Sequence, residues 1–534
     1  MKKPFLFIVV WVFLFLLTPA SCQSNNDKKE TLRPVTLPDD QDPPVAFPFD
    51  STLVIPFFAK NPELKKYQSD VRTLYRKHQY HYIWQDQKHI TELGLLLYDK
   101  LQNISEEGVE AAFPYKDKLD QFFQHPNLLL ASTEDAELLI ASAYFFYMDN
   151  VYYGLDSKVI TQTGWYLPRK KPSYVNYLDT LLKKPLLLHK DESAVFVQYY
   201  RLRELLKKYR QMDQKGTWLP IRLDAKVKAY HLGDSDTTIA QIRRHLFLTE
   251  DLLEDSQKEV YDAELAAGIL NYKKRNGYAL DSIILPKHIA SMNIPLAQRI
   301  KTILVNMERC RWMSGSIRRT NEFIVINIPA YQLTYFIDGK KQLVSEVVVG
   351  KVMNKTVVFS ADMKYIVFSP YWNVPNSILH KEILPEIAKN KNYLAQHNME
   401  WHEQRVRQRP GTKNALGLVK FLFPNNNSIY LHDTPSKYLF KQEQRAFSHG
   451  CIRVAKPIEL ARLILRNDPN WTSEKIDRAM NRGIETWHPL KNKIPVYIGY
   501  FTTWVDSEGF SHFYNDVYQR DEPLASLLFK KEKQ

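Results

Sequence analysis

Near residue 320 the chain changes its hydrophobic period, and that change limits the fold more than any other feature. Upstream, in the windows Glu63–His78, Ile90–Asn103, Ala136–Tyr152 and Glu192–Tyr209, apolar residues recur every three or four positions. That spacing gathers them on one face of a helix, so the region from about 55 to 220 reads as helical. Downstream, Phe323-Ile324-Val325-Ile326-Asn327-Ile328-Pro329 is a strand signal rich in β-branched residues, and Ala330–Phe336 is a second. Asp338-Gly339 supplies the turn before Leu343–Val349. Tyr365–Ser369, Leu418–Phe423, Ser428–His432, Ile494–Thr502 and Phe510–Tyr514 continue the series, the last two around Ser507-Glu508-Gly509. Strands joined by short turns, without alternating helices, predict an antiparallel sheet or barrel-like domain. Helices first and strands later make a multidomain α+β chain. Pro457–Arg466 reads as a helix near its end, and residues 376–409 interrupt the strands with helical, charged sequence. An insertion of this kind is a lid candidate.

The N-terminus bears on the compartment. Lys2 and Lys3 precede an apolar run from Phe5 to Leu17, followed by Thr18-Pro19-Ala20-Ser21-Cys22. A charged start, an apolar middle and small residues read as an export signal over 1–22. The run is short of the ~20 residues a membrane-spanning helix needs; an uncleaved anchor is the alternative reading. Residues 23–54 are polar and proline-rich and read as a flexible linker. The expected location is the periplasm or cell envelope.

Charge and cysteine usage narrow the function. The formal net charge of +14 suits an anionic partner: nucleic acid, a membrane surface or a cell-wall polymer. Zinc-finger spacing, a P-loop and an RNA-binding signature are missing from the sequence, and the charge is spread along it, which argues against nucleic acid. The three cysteines are Cys22, Cys310 and Cys451, too few for a disulfide scaffold. Cys310, in Met-Glu-Arg-Cys-Arg-Trp, reads as a buried helical residue; pairing with Cys451 is the redox alternative. A thiol kept free in an oxidising compartment points to use of its reactivity, which favours Cys451.

The chemistry gathers between Ile429 and Val454. An apolar strand ends in His432, and fifteen residues separate it from Ser448-His449-Gly450-Cys451-Ile452-Arg453-Val454. A thiol is mostly neutral at pH 7, and an imidazole that takes its proton makes it a nucleophile. Cys451 is the candidate nucleophile and His432 the candidate base, facing it across the sheet. His449 is a supporting or orienting residue. Asp433 or a backbone carbonyl holds the other ring nitrogen of His432. Gly450 allows a positive φ, so that the amides of Gly450 and Cys451 point into the site as an oxyanion hole. Arg453 can hold a substrate carboxylate or favour the thiolate. Ser448, Tyr430, Trp372 and Asn373 complete the candidate substrate contacts. The metal alternative lacks Cys-x-x-Cys or His-x₃-His spacing. An inert buried cysteine explains neither His432 nor the Gly-Cys turn.

His-x₁₅-Ser-His-Gly-Cys-Ile-Arg resembles the signature of the L,D-transpeptidase (YkuD-type) catalytic domain. Val325–Tyr331, Tyr371–Pro375, Ile383–Pro385 and Leu431–Pro435 resemble its large YcbB-like branch. The resemblance implies a helical scaffold domain at 55–227, a peptidoglycan-binding-like helical domain at 228–298, a catalytic domain at 299–505 with its lid at 376–409, and a C-terminal extension at 506–534. Within 228–298, Tyr230–Asp234, Ile239–Leu246, Tyr261–Leu265 and Ile269–Tyr278 are similar to the three-helix peptidoglycan-binding module. Asp281–Pro286 lacks the glycines of that family's next segment. Ala20-Ser21-Cys22 resembles a lipobox, with Pro19 where the pattern favours Leu, and implies a lipid anchor at Cys22. The activity implied is a cysteine acyltransferase without metal or cofactor, which joins peptidoglycan stem peptides and is acylated by carbapenems. Stem hydrolysis, protein tethering and non-catalytic wall binding are the alternatives.

Overall fold

In a computed structural model of the chain, the described residues are 47–86, 89–125, 133–167, 169, 171–190, 195–313 and 321–529. The export signal, Cys22 and most of the linker lie outside them. The linker's last part is already folded: Phe49 is buried and stacks on Tyr75, so order begins before residue 55. Among the described residues no helix is long and apolar enough to cross a membrane.

Helices Gln68–Lys77 and Glu92–Gln102 fall in the expected windows, while Thr133–Met148 starts ahead of its window and Val197–Gln214 runs past the end of its own. Thr133–Met148 is the axis of this region. From Ala136 to Met148 every residue is buried, which is why the segment is apolar all round. Its Glu137 accepts hydrogen bonds from the Tyr75 hydroxyl at 2.8 Å and the Ile83 amide at 2.6 Å. Burial pushes the Glu137 carboxyl up to about 7.

Helices Thr237–Leu248, Ala263–Asn276 and Pro286–Met292 form a unit with a core of its own, including Ile239, Ile242, Leu246, Leu265, Ile269 and Ile289. Asp236 and Asp262 cap the first two helices through the amides of Thr238 and Leu265, and Gly277 closes the second at φ +73°. Helix Leu296–Arg311 then returns to pack against Val197–Gln214. It buries Cys310 completely, and both Cys310 and Cys451 are free thiols.

The strand region closes into a barrel. β1 (Glu322–Asn327), β2 (Gln332–Ile337) and β3 (Lys340–Gly350) form a meander with Asp338-Gly339 at one turn. They are followed by β4 (Phe359–Phe368), β5 (Val419–Leu422), β6 (Leu431–His432), β7 (Ala446–Ser448), β8 (Ile452–Val454) and β9 (Thr486–Gly499). The order is β7-β3-β8-β6-β5-β4-β9-β1-β2, and β2 pairs back onto β3. Alternate residues, among them Ile324, Ile326, Leu333, Val347, Ile366, Val419, Phe421, Leu431 and Ile452, fill the interior. The expected antiparallel pattern is corrected to a mixed one: β9 runs parallel to β1, β6 to β8 and β7 to β3. Helices Pro457–Ile464 and Ser473–Asn481 connect β8 to β9.

Two further expectations change. The 376–409 insertion is only half helical: after Leu384–Lys389 and Tyr393–Gln396 it forms a hairpin, Met399–His402 with Arg405–Gln408, that pairs with Trp372–Asn373. Val374, Ile378, Leu379, Ile383 and Val406 give it a small core. The closing strands are also redrawn: β9 starts at Thr486, and a separate hairpin pairs Thr503–Val505 with Ser511–Phe513. Within 506–529, Tyr518, Leu524 and Ala525 are buried in the main core.

Candidate active site

β5, β6 and β8 lie side by side, and their register sets three polar side chains in one row. Lys420 pairs with His432, and His432 pairs with Arg453. Facing residues on neighbouring strands share a face, with Cβ atoms about 5 Å apart. The alternate residues Phe421, Leu431 and Ile452 point into the barrel. The pattern that fills the core therefore places Lys420, His432 and Arg453 together on the outer face.

Cys451 immediately precedes β8. Its Sγ lies 3.6 Å from the Ser428 carbonyl oxygen, which accepts the thiol proton. The amide and hydroxyl of Tyr430 act on the sulfur to favour its thiolate. The Tyr430 ring lies 5.7 Å from the His432 ring, so one tyrosine touches both the thiol and the imidazole. Burial pushes the Cys451 thiol above its ordinary value, against the Tyr430 hydrogen bonds and the Arg453 charge.

His432 is buried and held in one tautomer. Its Nδ1 lies 2.5 Å from the Asp433 carbonyl oxygen; this nitrogen donates, leaving Nε2 with a free lone pair. Of the two holders the sequence offered, the structure uses a backbone carbonyl. The Asp433 carboxylate is occupied instead by the amides of Leu418 and Thr434 and by Lys437. Burial, then the Arg453 charge, drive the His432 pKa down to about 3, with Lys420 and Lys437 acting in the same direction.

The turn before Cys451 is built from inside. Gly450 has φ +117°, which favours glycine. Ser448 is buried: its hydroxyl donates to the Cys451 carbonyl at 2.5 Å and accepts from the Gly450 amide at 3.1 Å. Ser448 thus holds the turn, with its hydroxyl engaged on both sides. The Gly450 amide, expected as an oxyanion donor, is engaged by that hydroxyl. Among the described residues no acceptor takes the Cys451 amide. Thr356 Oγ1 bridges the Gly350 amide and the Gly450 carbonyl, each at 2.9 Å. The Tyr518 hydroxyl donates to the Gly350 carbonyl at 2.7 Å and accepts from the Thr356 amide at 3.1 Å. A side chain on Gly350 would overlap the Asn354 carbonyl, so only glycine fits there.

The other candidates separate. His449 points out of the turn, with Nε2 2.8 Å from Oε1 of Glu382 in the insertion. Arg453 has a buried Nε without a hydrogen-bond partner and makes no ion pair among the described residues. Trp372 packs on the core of the insertion and Asn373 is exposed. Sequence reasoning missed Thr356, Glu382, Lys420 and Tyr518. Only Lys420 carried a local signal, as a lone cation inside the apolar run Val419–Phe423.

Comparison with known proteins places two stretches of the chain in known domain families. Residues 321–476 match the YkuD model, described as an L,D-transpeptidase catalytic domain, and residues 69–206 match a Scaffold domain model. A Haemophilus influenzae protein assigned by name to the L,D-transpeptidases is 32% identical over 222 residues. That match covers 38% of this chain and 45% of the relative, so the chain spans less than half of that protein's length. Among solved structures, an L,D-transpeptidase from Mycobacterium smegmatis is 12% identical over 33% of this chain and 58% of its own, with a TM-score of 0.19. One from Stackebrandtia nassauensis is 15% identical over 50% and 94%, with a TM-score of 0.21. Superpositions at that level carry no argument. The YkuD match contains Cys451, His432 and Arg453, and the chain carries an L,D-transpeptidase (YkuD) catalytic domain behind a Scaffold domain.

Proposed function

We propose that the protein is a peptidoglycan L,D-transpeptidase that forms 3→3 cross-links between stem peptides. The observation that carries this reading is the thiol of Cys451, one strand away from a buried, neutral His432 whose Nε2 is free, with the unpaired Arg453 guanidinium beside both. The sulfur attacks the carbonyl carbon after the third residue of a tetrapeptide stem while His432 Nε2 takes the thiol proton. The Cys451 amide faces the developing oxyanion, a contact typically worth ~3 kcal/mol. The C–N bond then breaks, and the same proton passes from His432 to the departing D-alanine. An amine on a neighbouring stem attacks the thioester, gives up its proton through His432, and releases the thiol. Arg453 holds a carboxylate of the donor stem.

The basic, multidomain chain supports action on an anionic wall polymer outside the cytoplasm. The three-helix unit stands next to the site: Lys287 Nζ lies 2.6 Å from Glu443 Oε2, and the Ala279 amide donates to Glu443 Oε1 at 3.0 Å. Glu443 belongs to the loop between His432 and Cys451, so glycan held by that unit would be delivered beside the thiol. Water or a protein amine in place of the stem amine turns the same thioester to hydrolysis or tethering.

Purified protein incubated with tetrapeptide-rich sacculi tests the reading through muropeptide masses. New tetra–tri dimers with release of D-alanine are expected, and none with Cys451→Ala. Shortened monomers alone would replace transfer by hydrolysis. An unchanged profile together with wall binding would leave a binding protein.

A further inference from the structure

We propose that Lys420 is a positioning residue that keeps His432 unprotonated, so that the imidazole enters the reaction as a free base. The inference rests on the transpeptidase reading for its purpose, but on the sheet register for its evidence. Lys420 on β5 and Arg453 on β8 are the two cross-strand partners of His432, so the imidazole has a cation on each side. A third positive charge on the same ring is opposed by both neighbours.

The charges around His432 are few. From β5 comes Lys420, whose Nζ lies 3.5 Å from Glu485 Oε1 and 5.4 Å from the centre of the Trp487 ring. From β8 and its leading turn come Arg453 and the Cys451 thiol. From the loop after His432 come Asp433 and Lys437, which pair with each other at 2.5 Å, with Lys437 acting on the ring in the same direction as Lys420. Tyr430 completes the set. Glu485 is itself shared with the Tyr371 amide and the Trp487 indole N–H, so it offsets the Lys420 charge only in part. The Lys420 side chain is 10% exposed, which keeps solvent from screening its effect on the ring.

A buried lysine is costly where an apolar residue would pack. A purely structural reason exists in the contacts with Glu485 and Trp487. The two roles separate by sign. If Lys420 only anchors Glu485, removing either partner damages the site alike. If its charge acts on His432, removing Lys420 raises the pH at which the imidazole takes a proton, while Glu485→Gln lowers that pH or leaves it unchanged.

The test is the ¹⁵N spectrum of His432 in the full chain, followed from pH 8 downward, in the wild-type protein and in Lys420→Met, Lys420→Arg and Glu485→Gln. Imidazolium signals should enter at a pH higher by on the order of one unit in Lys420→Met. Lys420→Arg should restore the wild-type curve, and Glu485→Gln should not shift it upward. Should the methionine variant fail to fold, Lys420→Gln takes its place. A folded Met or Gln variant whose His432 titration overlays the wild type would overturn the proposal, as would an upward shift in Glu485→Gln equal to that of Lys420→Met. Absence of acyl transfer by the wild-type protein would instead overturn the proposed function, and the titration would still decide the role of Lys420.

Discussion

His449 and Glu382 join two parts of the molecule that have separate cores, with 2.8 Å between Nε2 and Oε1. The histidine belongs to the turn that presents Cys451, and the glutamate to the insertion. The contact ties the position of the insertion to the one segment that the chemistry cannot spare.

Glu382→Gln should therefore loosen the insertion more than the barrel. The pair is solvent-exposed on both sides, and such pairs contribute about 0–1 kcal/mol, so a change of up to about fivefold is expected. Hydrogen exchange read at residues 379–383 measures it directly. Equal exchange in the two proteins would show that the contact does not restrain the insertion.

Gly417 lies at φ +63° against the Asp433 carboxylate, and a Cβ there would overlap it. Gly417→Ala should displace Asp433, whose carbonyl fixes the His432 tautomer, and should destabilise the protein by ~1–3 kcal/mol. Acyl transfer should fall further than stability alone accounts for. Wild-type transfer by a folded Gly417→Ala variant would separate Asp433 from the function of His432.

The barrel was legible because its strands bury one face: Phe323–Asn327 and Val419–Leu422 announce themselves through β-branched and aromatic residues. The pairings were not legible, since β1 and β9 meet across more than 150 residues and parallel neighbours leave no local mark. The hairpin Met399–Gln408 escaped because it is charged and half exposed, and reads like the helices before it. At the site, the histidine, the cysteine and the glycine turn stood out by residue type and spacing. Thr356, Tyr518 and Glu382 could not, because their contacts join distant segments. Ser448 was read by its place in the motif, whereas its burial shows that it builds the turn.

The reactivity of the thiol follows from its burial. With its pKa raised above the ordinary value of 9.0, Cys451 should alkylate slowly with iodoacetamide at neutral pH, and the rate should still be climbing above pH 9. The Arg453 charge favours the thiolate, so Arg453→Gln should slow alkylation at any given pH below the plateau. A plateau reached near pH 7 would mean that the resting enzyme holds a thiolate–imidazolium pair.

Glu137 gives the helical region a pH dependence of known sign. Its carboxyl titrates near 7 in the folded protein, against 4.5 for an ordinary glutamate, so the native state keeps the proton longer than the unfolded chain. Stability from this group is complete below about pH 4.5 and is lost as pH rises through about 7. The Tm of the wild-type protein should therefore fall relative to Glu137→Gln between about pH 5 and about pH 8. Parallel curves for the two proteins would contradict the assignment.

The most direct measurement is the mass and position of the acyl group on the enzyme during turnover. Full-length protein is mixed with a tetrapeptide donor without an acceptor amine, quenched in acid and mapped by peptide mass. A tripeptidyl adduct on the peptide carrying Cys451, lost on adding an acceptor amine, is expected, with Cys310 unmodified in its buried helix. An adduct elsewhere, or D-alanine release from a Cys451→Ala protein, would contradict a thioester at Cys451.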